Sequence, residues 1–189
     1  MSDDPAPLVW RRAAPAADTA RLAASFDLMR AVLDGTGLAE TLEMIAVRAR
    51  DMARARLAFV ALPEADGNVL RVDVAVGPDA EEVRGLTVRR GRSVIGRVYA
   101  SGRPLSARVA SDQALSGLPA GPILLMPLET GEAVRGVLAV VGRPGEPPLS
   151  GAAARGLCLF ASTAAALVEL AEERRADRQG DLFRSGGGR

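Results

Sequence analysis

Residues 86–105 read LTVRRGRSVIGRVYASGRPL, and the order of signals in this stretch decides the fold. Leu86, Thr87 and Val88 form a short apolar run of strand character. Arg90 and Gly91 break it, and Ser93 stands where a helix N-cap belongs. Val94, Ile95, Val98 and Tyr99 then recur at helical spacing, which predicts a short helix with one buried face. Gly102 suits the left-handed position after the last turn, and Pro104 prevents continuation. The order is strand, tight turn, short amphipathic helix, glycine stop, next strand.

Downstream, residues 106–110 read as a brief strand and 111–121 as a polar loop containing Gly and Pro. Two stronger strands follow at 123–128 and 134–141, nearly continuous in apolar residues, as expected of central strands covered on both faces. Between them, Gly131 is expected to supply the positive φ of a short hairpin loop. A Pro-rich connector at 142–149 leads to Ser150, which caps a long final helix, apolar almost all round to Leu170 and charged from Glu172 onward.

Upstream, 57–62 is a continuous apolar run, and 69–76 alternates, with Leu70, Val72, Val74 and Val76 assigned to one face. Asp66-Gly67-Asn68 between them is a hairpin turn signal. Gly77-Pro78 opens a short acidic helical turn ending at Gly85. Two helices come first. Leu22, Phe26, Met29 and Leu33 are spaced four, three, four, an a/d seam with no obvious role inside the domain. After the Gly-containing stop at 34–37, the second helix carries Leu38, Leu42, Ile45 and Met52 on one face and Arg48, Arg50 and Arg54 towards the other. The expected organisation is a disordered tail at 1–16, one domain with flanking helices at 17–176, and a flexible tail at 177–189. Its class is α+β with a mostly antiparallel sheet.

Composition narrows the function. The 189 residues are 48% hydrophobic but only 3% aromatic, so the core must be aliphatic. All 24 basic residues are Arg, and the net charge of +1 gives no overall field for nucleic acid. Cys158 is alone, which fits a reducing compartment, and by residue type it reads as a small core hydrophobe. No signal peptide is visible, and the apolar run at 157–170 is too short to span a bilayer. A cytoplasmic protein without a membrane partner is expected. The sequence has no His, which removes His-ligated haem, ordinary His metal sites and Ser-His-Asp or Cys-His nucleophiles. No enzyme and no cofactor are expected.

The central segment resembles the middle of a GAF domain, through Gly91, Ser93, Val94, Gly96, Val98, Gly102, Arg103, Pro104 and Leu105. The following hairpin agrees at Pro127, Leu128, Gly131, Ala133 or Val134, Gly136, Val137 and Leu138. The resemblance covers residues 38–174 and looks most like the second GAF domain of actinobacterial DevS-type sensor histidine kinases. It implies a GAF-like central antiparallel sheet, with the N- and C-terminal helices on one face and short helices and loops over a pocket on the other. It also implies a sensory or regulatory role, with a sensor kinase or other signalling protein as partner. The sequence lacks the H-box histidine of such kinases, so the chain is expected to be a stand-alone GAF protein or a piece of a longer one. GAF-type methionine sulfoxide reductases work through several cysteines, and here there is one.

Between Val83 and Ser111 lie seven arginines and no Asp or Glu. Several of them bracket a helix start, which suits an anion. In GAF domains this segment borders the ligand pocket, so Arg89, Arg92, Ser93, Arg108 and Asp112 are the candidate residues for a small anionic ligand. A solvated arginine face is the other reading. Leu22, Phe26, Met29 and Leu33 are the candidate interface of a homodimer through parallel terminal helices. The alternative is a first helix folded back on its own domain. Two functions stay open: a non-catalytic sensory module, or a structural dimerisation domain with a vestigial, unliganded pocket.

Overall fold

In the computed structural model, which describes residues 16–185 apart from Glu132, three aliphatic strands set the architecture. These are β1 (Leu57–Pro63), β5 (Pro122–Thr130) and β6 (Ala133–Val141), each buried on both faces through most of its length. They are extended by β2 (Val69–Val76), β3 (Thr87–Arg89) and β4 (Leu105–Arg108) into one sheet, in the order β3-β2-β1-β6-β5-β4 with every pairing antiparallel. The helices are α1 (Ala16–Leu33), α2 (Leu38–Ala53), the single turn α3 (Ala80–Val83), α4 (Ser93–Ser101) and α5 (Gly151–Ser185). This is the expected α+β fold.

Alternation along the strands sends side chains into two separate cores. Ala58, Val60, Leu124, Met126, Leu138 and Val140 face the α1, α2 and α5 layer, where Leu42, Ile45, Phe160 and Val168 meet them. Phe59, Leu70, Val72, Ile123, Leu125 and Val137 face the other way, against α4 and the chain that follows β4. Phe160 and Phe59, both fully buried, anchor the two cores. Truncating either ring to Ala costs about 3–5 kcal/mol.

Local turns follow their residue chemistry. Gly67 takes φ +66°, and the Asn68 N–H donates to Asp66 Oδ1 at 2.9 Å. Gly102 closes α4 at φ +63°, its N–H donating to the Val98 carbonyl at 2.9 Å. Gly131 does not have the positive φ expected of it. The β5–β6 hairpin instead takes up its twist at a bulge where Leu128 pairs with Gly136 and Glu129 with Val134, leaving Arg135 as the extra residue. A second bulge corrects the reading of β2. Val60 pairs with Val74 and Ala61 with Val72, so Asp73 is extra and the alternation slips by one. Leu70 and Val72 therefore lie in one core, while Val74 and Val76 pack against the other.

The first helix has a role inside the domain after all. Its Ala24, Leu28 and Val32 are buried against the helical layer, on the face opposite the a/d seam. At its end, Arg174 of α5 donates to the Val32 carbonyl. The helix α5 continues to Ser185, through the first part of the stretch read as a tail. Residues 172–179 contain no Gly or Pro, and the Glu, Arg, Ala and Gln among them favour helix. The tail residues 1–15 and 186–189 lie outside the described ones. Gly151–Asp177 is long and apolar enough to match a bilayer span, and much of that apolarity is packed on the sheet.

Arg135, the bulge residue, reaches across to pair with Glu169 on α5. Glu172, one turn further, has its carboxyl pushed above the usual range by burial, opposed by Arg135 and reinforced by the charge of Glu169. A raised folded-state pKa means that the folded protein holds this proton more tightly than the unfolded chain. Its stability contribution is therefore present in acid and lost as pH rises through the folded value. Glu172→Gln should raise the urea midpoint at neutral pH, and the gain should vanish below the normal carboxylate range. An equal gain at both pH values would exclude this origin.

Candidate functional site

The candidate site is built around the start of α4. After β3 the chain makes a tight turn in which the Arg92 N–H donates to the Arg89 carbonyl, and the Gly91 N–H to the Gly96 carbonyl, both at 2.9 Å. Gly91 has φ +74° and Ser93 has φ +55°, so the helix is entered through two left-handed residues. Ser93 Oγ accepts from the Gly96 N–H at 3.3 Å, the bond an N-cap serine makes. Gly96 is buried under this turn, where a Cβ would stand 2.2 Å from the Arg89 carbonyl oxygen. The glycine lets the turn close over the helix.

Asp112 completes the arrangement. It lies 18 residues beyond Val94 and is 7% exposed. Its Oδ2 accepts from the Val94 N–H at 2.5 Å and its Oδ1 from the Ala114 N–H at 2.9 Å. One carboxylate thus caps α4 and starts the next turn of chain, answering both the free N–H groups and the positive end of the helix. Asp112 was named for a bound ligand, yet its own carboxylate sits where a ligand's anion would. Arg89, Arg92 and Arg108 are exposed around it, and Ser93 is partly buried.

Residues 109–118 are not the polar loop that their composition suggests. They form two 3-10 turns, Val109–Ser111 and Gln113–Leu115, that press Val109, Leu115 and Leu118 onto the sheet. With Val94, Ile95 and Val98 these side chains fill the space between α4 and the strands. Open clefts lie on the surface. One of about 710 Å³ runs between the end of α2 and the connector to α5, past Met52, Arg54, Arg143 and Leu149. A shallower groove of about 370 Å³ runs along the outside of α4, past Arg97 and Arg103 to Leu105.

On the opposite layer, the seam residues Leu22, Phe26, Met29 and Leu33 all face solvent, Phe26 at 68% and Leu33 at 63% exposure. Leu159 of α5 is 53% exposed, with Ala166 also on the surface. Cys158, expected in the core, is exposed too, because the helix phase that buries Leu157 and Phe160 turns it outward. The capping role of Asp112 was missed. Asp112 ahead of Gln113-Ala114-Leu115 is itself a cap signal, but its bond to Val94 depends on contact across the fold.

Comparison with known proteins agrees with this geometry. The model of the GAF domain family matches residues 37–170. The GAF-B domain of DevS from Mycobacterium smegmatis is similar at 25% identity and TM-score 0.65, over 74% of this chain and 98% of that one. A second structure, of the second GAF domain of DevS from the same organism, gives 24% identity and TM-score 0.66, over 74% of this chain and 98% of that one. Free methionine-R-sulfoxide reductase from Neisseria meningitidis shares the fold at 17% identity and TM-score 0.69, over 87% of this chain and 97% of that one.

Substitutions at Asp112 and Gly96 test the construction of the site, with Gly131 as the control. Asp112→Ala strips the acceptor from one buried and one part-buried N–H group and should cost about 1–3 kcal/mol in urea unfolding. Asp112→Asn keeps an acceptor oxygen and should lose less. Equal stability for Asp112→Ala and wild type would refute the cap. Gly96→Ala should cost about 1–3 kcal/mol by overpacking against backbone. Gly131→Ala, with open space around it, should stay within about 0.5 kcal/mol.

Proposed function

The chain belongs to the GAF domain family, and from that premise we propose that it is a non-catalytic regulatory module that signals through paired copies of α1 and α5. The observation that carries the reading is the outer face of α1. Four large apolar side chains at a/d spacing stand in water, while a different face of the same helix is used inside the domain. Soluble monomers rarely expose so continuous an apolar stripe. Burying each such side chain contributes about 1.5–3 kcal/mol, enough in two copies to outweigh a moderate cost of association. Parallel pairing would place the two α5 helices side by side, and their charged extensions would carry a change in one domain towards a partner.

Residue chemistry supports a role without catalysis. The sequence has no His and a single Cys, and Asp112, the buried acid of the α4 lobe, is engaged with backbone amides. A small anionic ligand at Arg89, Arg92, Ser93 and Arg108 would have to displace that carboxylate. The filled α4 lobe therefore favours signalling by contact between proteins, and it is also what a vestigial pocket would look like. The likeness to DevS GAF domains supports a sensor-kinase setting, and with it a cytoplasmic location and a DevS-type partner.

Sedimentation equilibrium of the full chain at micromolar concentration tests the pairing. A dimer is expected, and Phe26→Asp should convert it to a monomer with unchanged far-UV circular dichroism, since that ring lies outside both cores. A monomeric wild-type protein would refute the proposal.

A further inference from the structure

On the far side of the sheet from the paired helices, α4 carries a second surface. We infer that the arginine-lined groove along α4 is a docking site for an acidic, partly apolar peptide segment of a partner protein. The inference takes its signalling context from the regulatory reading, but the surface stands on its own geometry.

The sequence from Val83 to Leu128 holds seven arginines and one carboxylate, Asp112. That carboxylate is buried and accepts from two backbone N–H groups, and it forms no ion pair with an arginine among the described residues. Elsewhere the protein pairs its arginines freely. Eight arginine–carboxylate ion pairs exist among the described residues, and none includes Arg89, Arg90, Arg92, Arg97, Arg103 or Arg108. Glu129 lies beside Gly102 at the end of α4 and lines a cleft there with Arg90 and Tyr99, without an ion pair to any of these arginines among the described residues. A concentration of like charge left without counter-charge in a near-neutral protein marks a surface complementary to an acidic one.

The groove defines the occupant further. Its lining combines apolar Val98, Ala100, Pro104 and Leu105 with the cationic Arg97 and Arg103. A lining that is apolar and cationic fits an extended segment whose acidic residues alternate with apolar ones. It runs to the start of β4, the edge strand of the sheet, where backbone groups are open to a further chain. A single small anion gains little here, because the α4 N-terminus is already held by Asp112. Single-stranded nucleic acid is disfavoured as well. Tyr99, the one aromatic residue between 84 and 128, is half-buried and has the guanidinium of Arg90 5.5 Å over one face of its ring, which leaves little stacking surface for bases.

Fluorescence anisotropy of the full chain with a fluorescein-labelled peptide of alternating Glu and Val, at low salt, tests the site. Saturable binding is expected. Arg97→Glu combined with Arg103→Glu should weaken it at least about tenfold, and the milder Arg97→Gln with Arg103→Gln should weaken it less. Arg155→Glu, an exposed arginine on α5, should leave it unchanged. Circular dichroism of each variant checks folding, and sedimentation of the same samples reports dimer formation separately from peptide binding. The proposal is overturned by absence of binding to wild type, by equal affinity for the double reversal, by equal binding of a Gln and Val peptide, by competition from inorganic phosphate at the same carboxylate-equivalent concentration, or by tighter binding of a single-stranded oligonucleotide.

Discussion

The central strands β1, β5 and β6 are aliphatic on both faces, and a sheet of that kind cannot leave either face in water. Each strand buries apolar side chains on each side, so both covers must be built from the same chain. The helical layer supplies one, with Phe160 at its centre. The other has no long helix to use. It is assembled from the short α4 and two 3-10 turns, with Val94, Ile95, Leu115 and Leu118 giving the apolar contacts.

Short elements pay little of their own way, since a nine-residue helix is marginal without tertiary support. The bond from Asp112 to the Val94 N–H is what joins them. It ties the turn region after β4 to the start of α4, so that the two halves of the cover hold each other in place. Gly96 serves the same end from beneath, by letting the turn after β3 approach the helix backbone. The consequence for function is direct. The position suited to an anionic ligand is held by a side chain of the protein, and the space beneath it is filled with aliphatic groups.

The two layers carry outer surfaces of opposite character. The helical side presents Phe26 and Leu33 with the rest of the α1 seam, apolar and suited to a like surface. The α4 side presents unpaired arginines beside a shallow apolar groove. The sheet between them is packed on both faces, so a load on one layer is felt by strands that also support the other. α1 makes the division possible by being apolar on two sides, Ala24, Leu28 and Val32 inward and the seam outward.

The sequence by itself determined whatever a few neighbouring residues settle through their own chemistry. The Gly102 stop before Pro104, the Asp66-Gly67-Asn68 turn and the double apolarity of the central strands are all of this kind, as is the α1 seam. The candidate arginines were legible too, since charge and its absence are written in composition. Tertiary structure alone decided the rest. The bulges at Asp73 and Arg135 arise from pairing with a neighbouring strand, and the first moved Val74 and Val76 to the core opposite the one their alternation implied. Cys158 faces out because of the phase at which α5 meets the sheet. The inner face of α1 contains two small-to-medium residues beside Leu28, so it was hidden behind the stronger outer stripe. Asp112 became a cap of α4 through a bond across 18 positions of sequence. Periodicity reports that a face is apolar, and composition that a segment is charged. What covers the one and neutralises the other depends on residues far away in the chain, brought close only when the sheet closes.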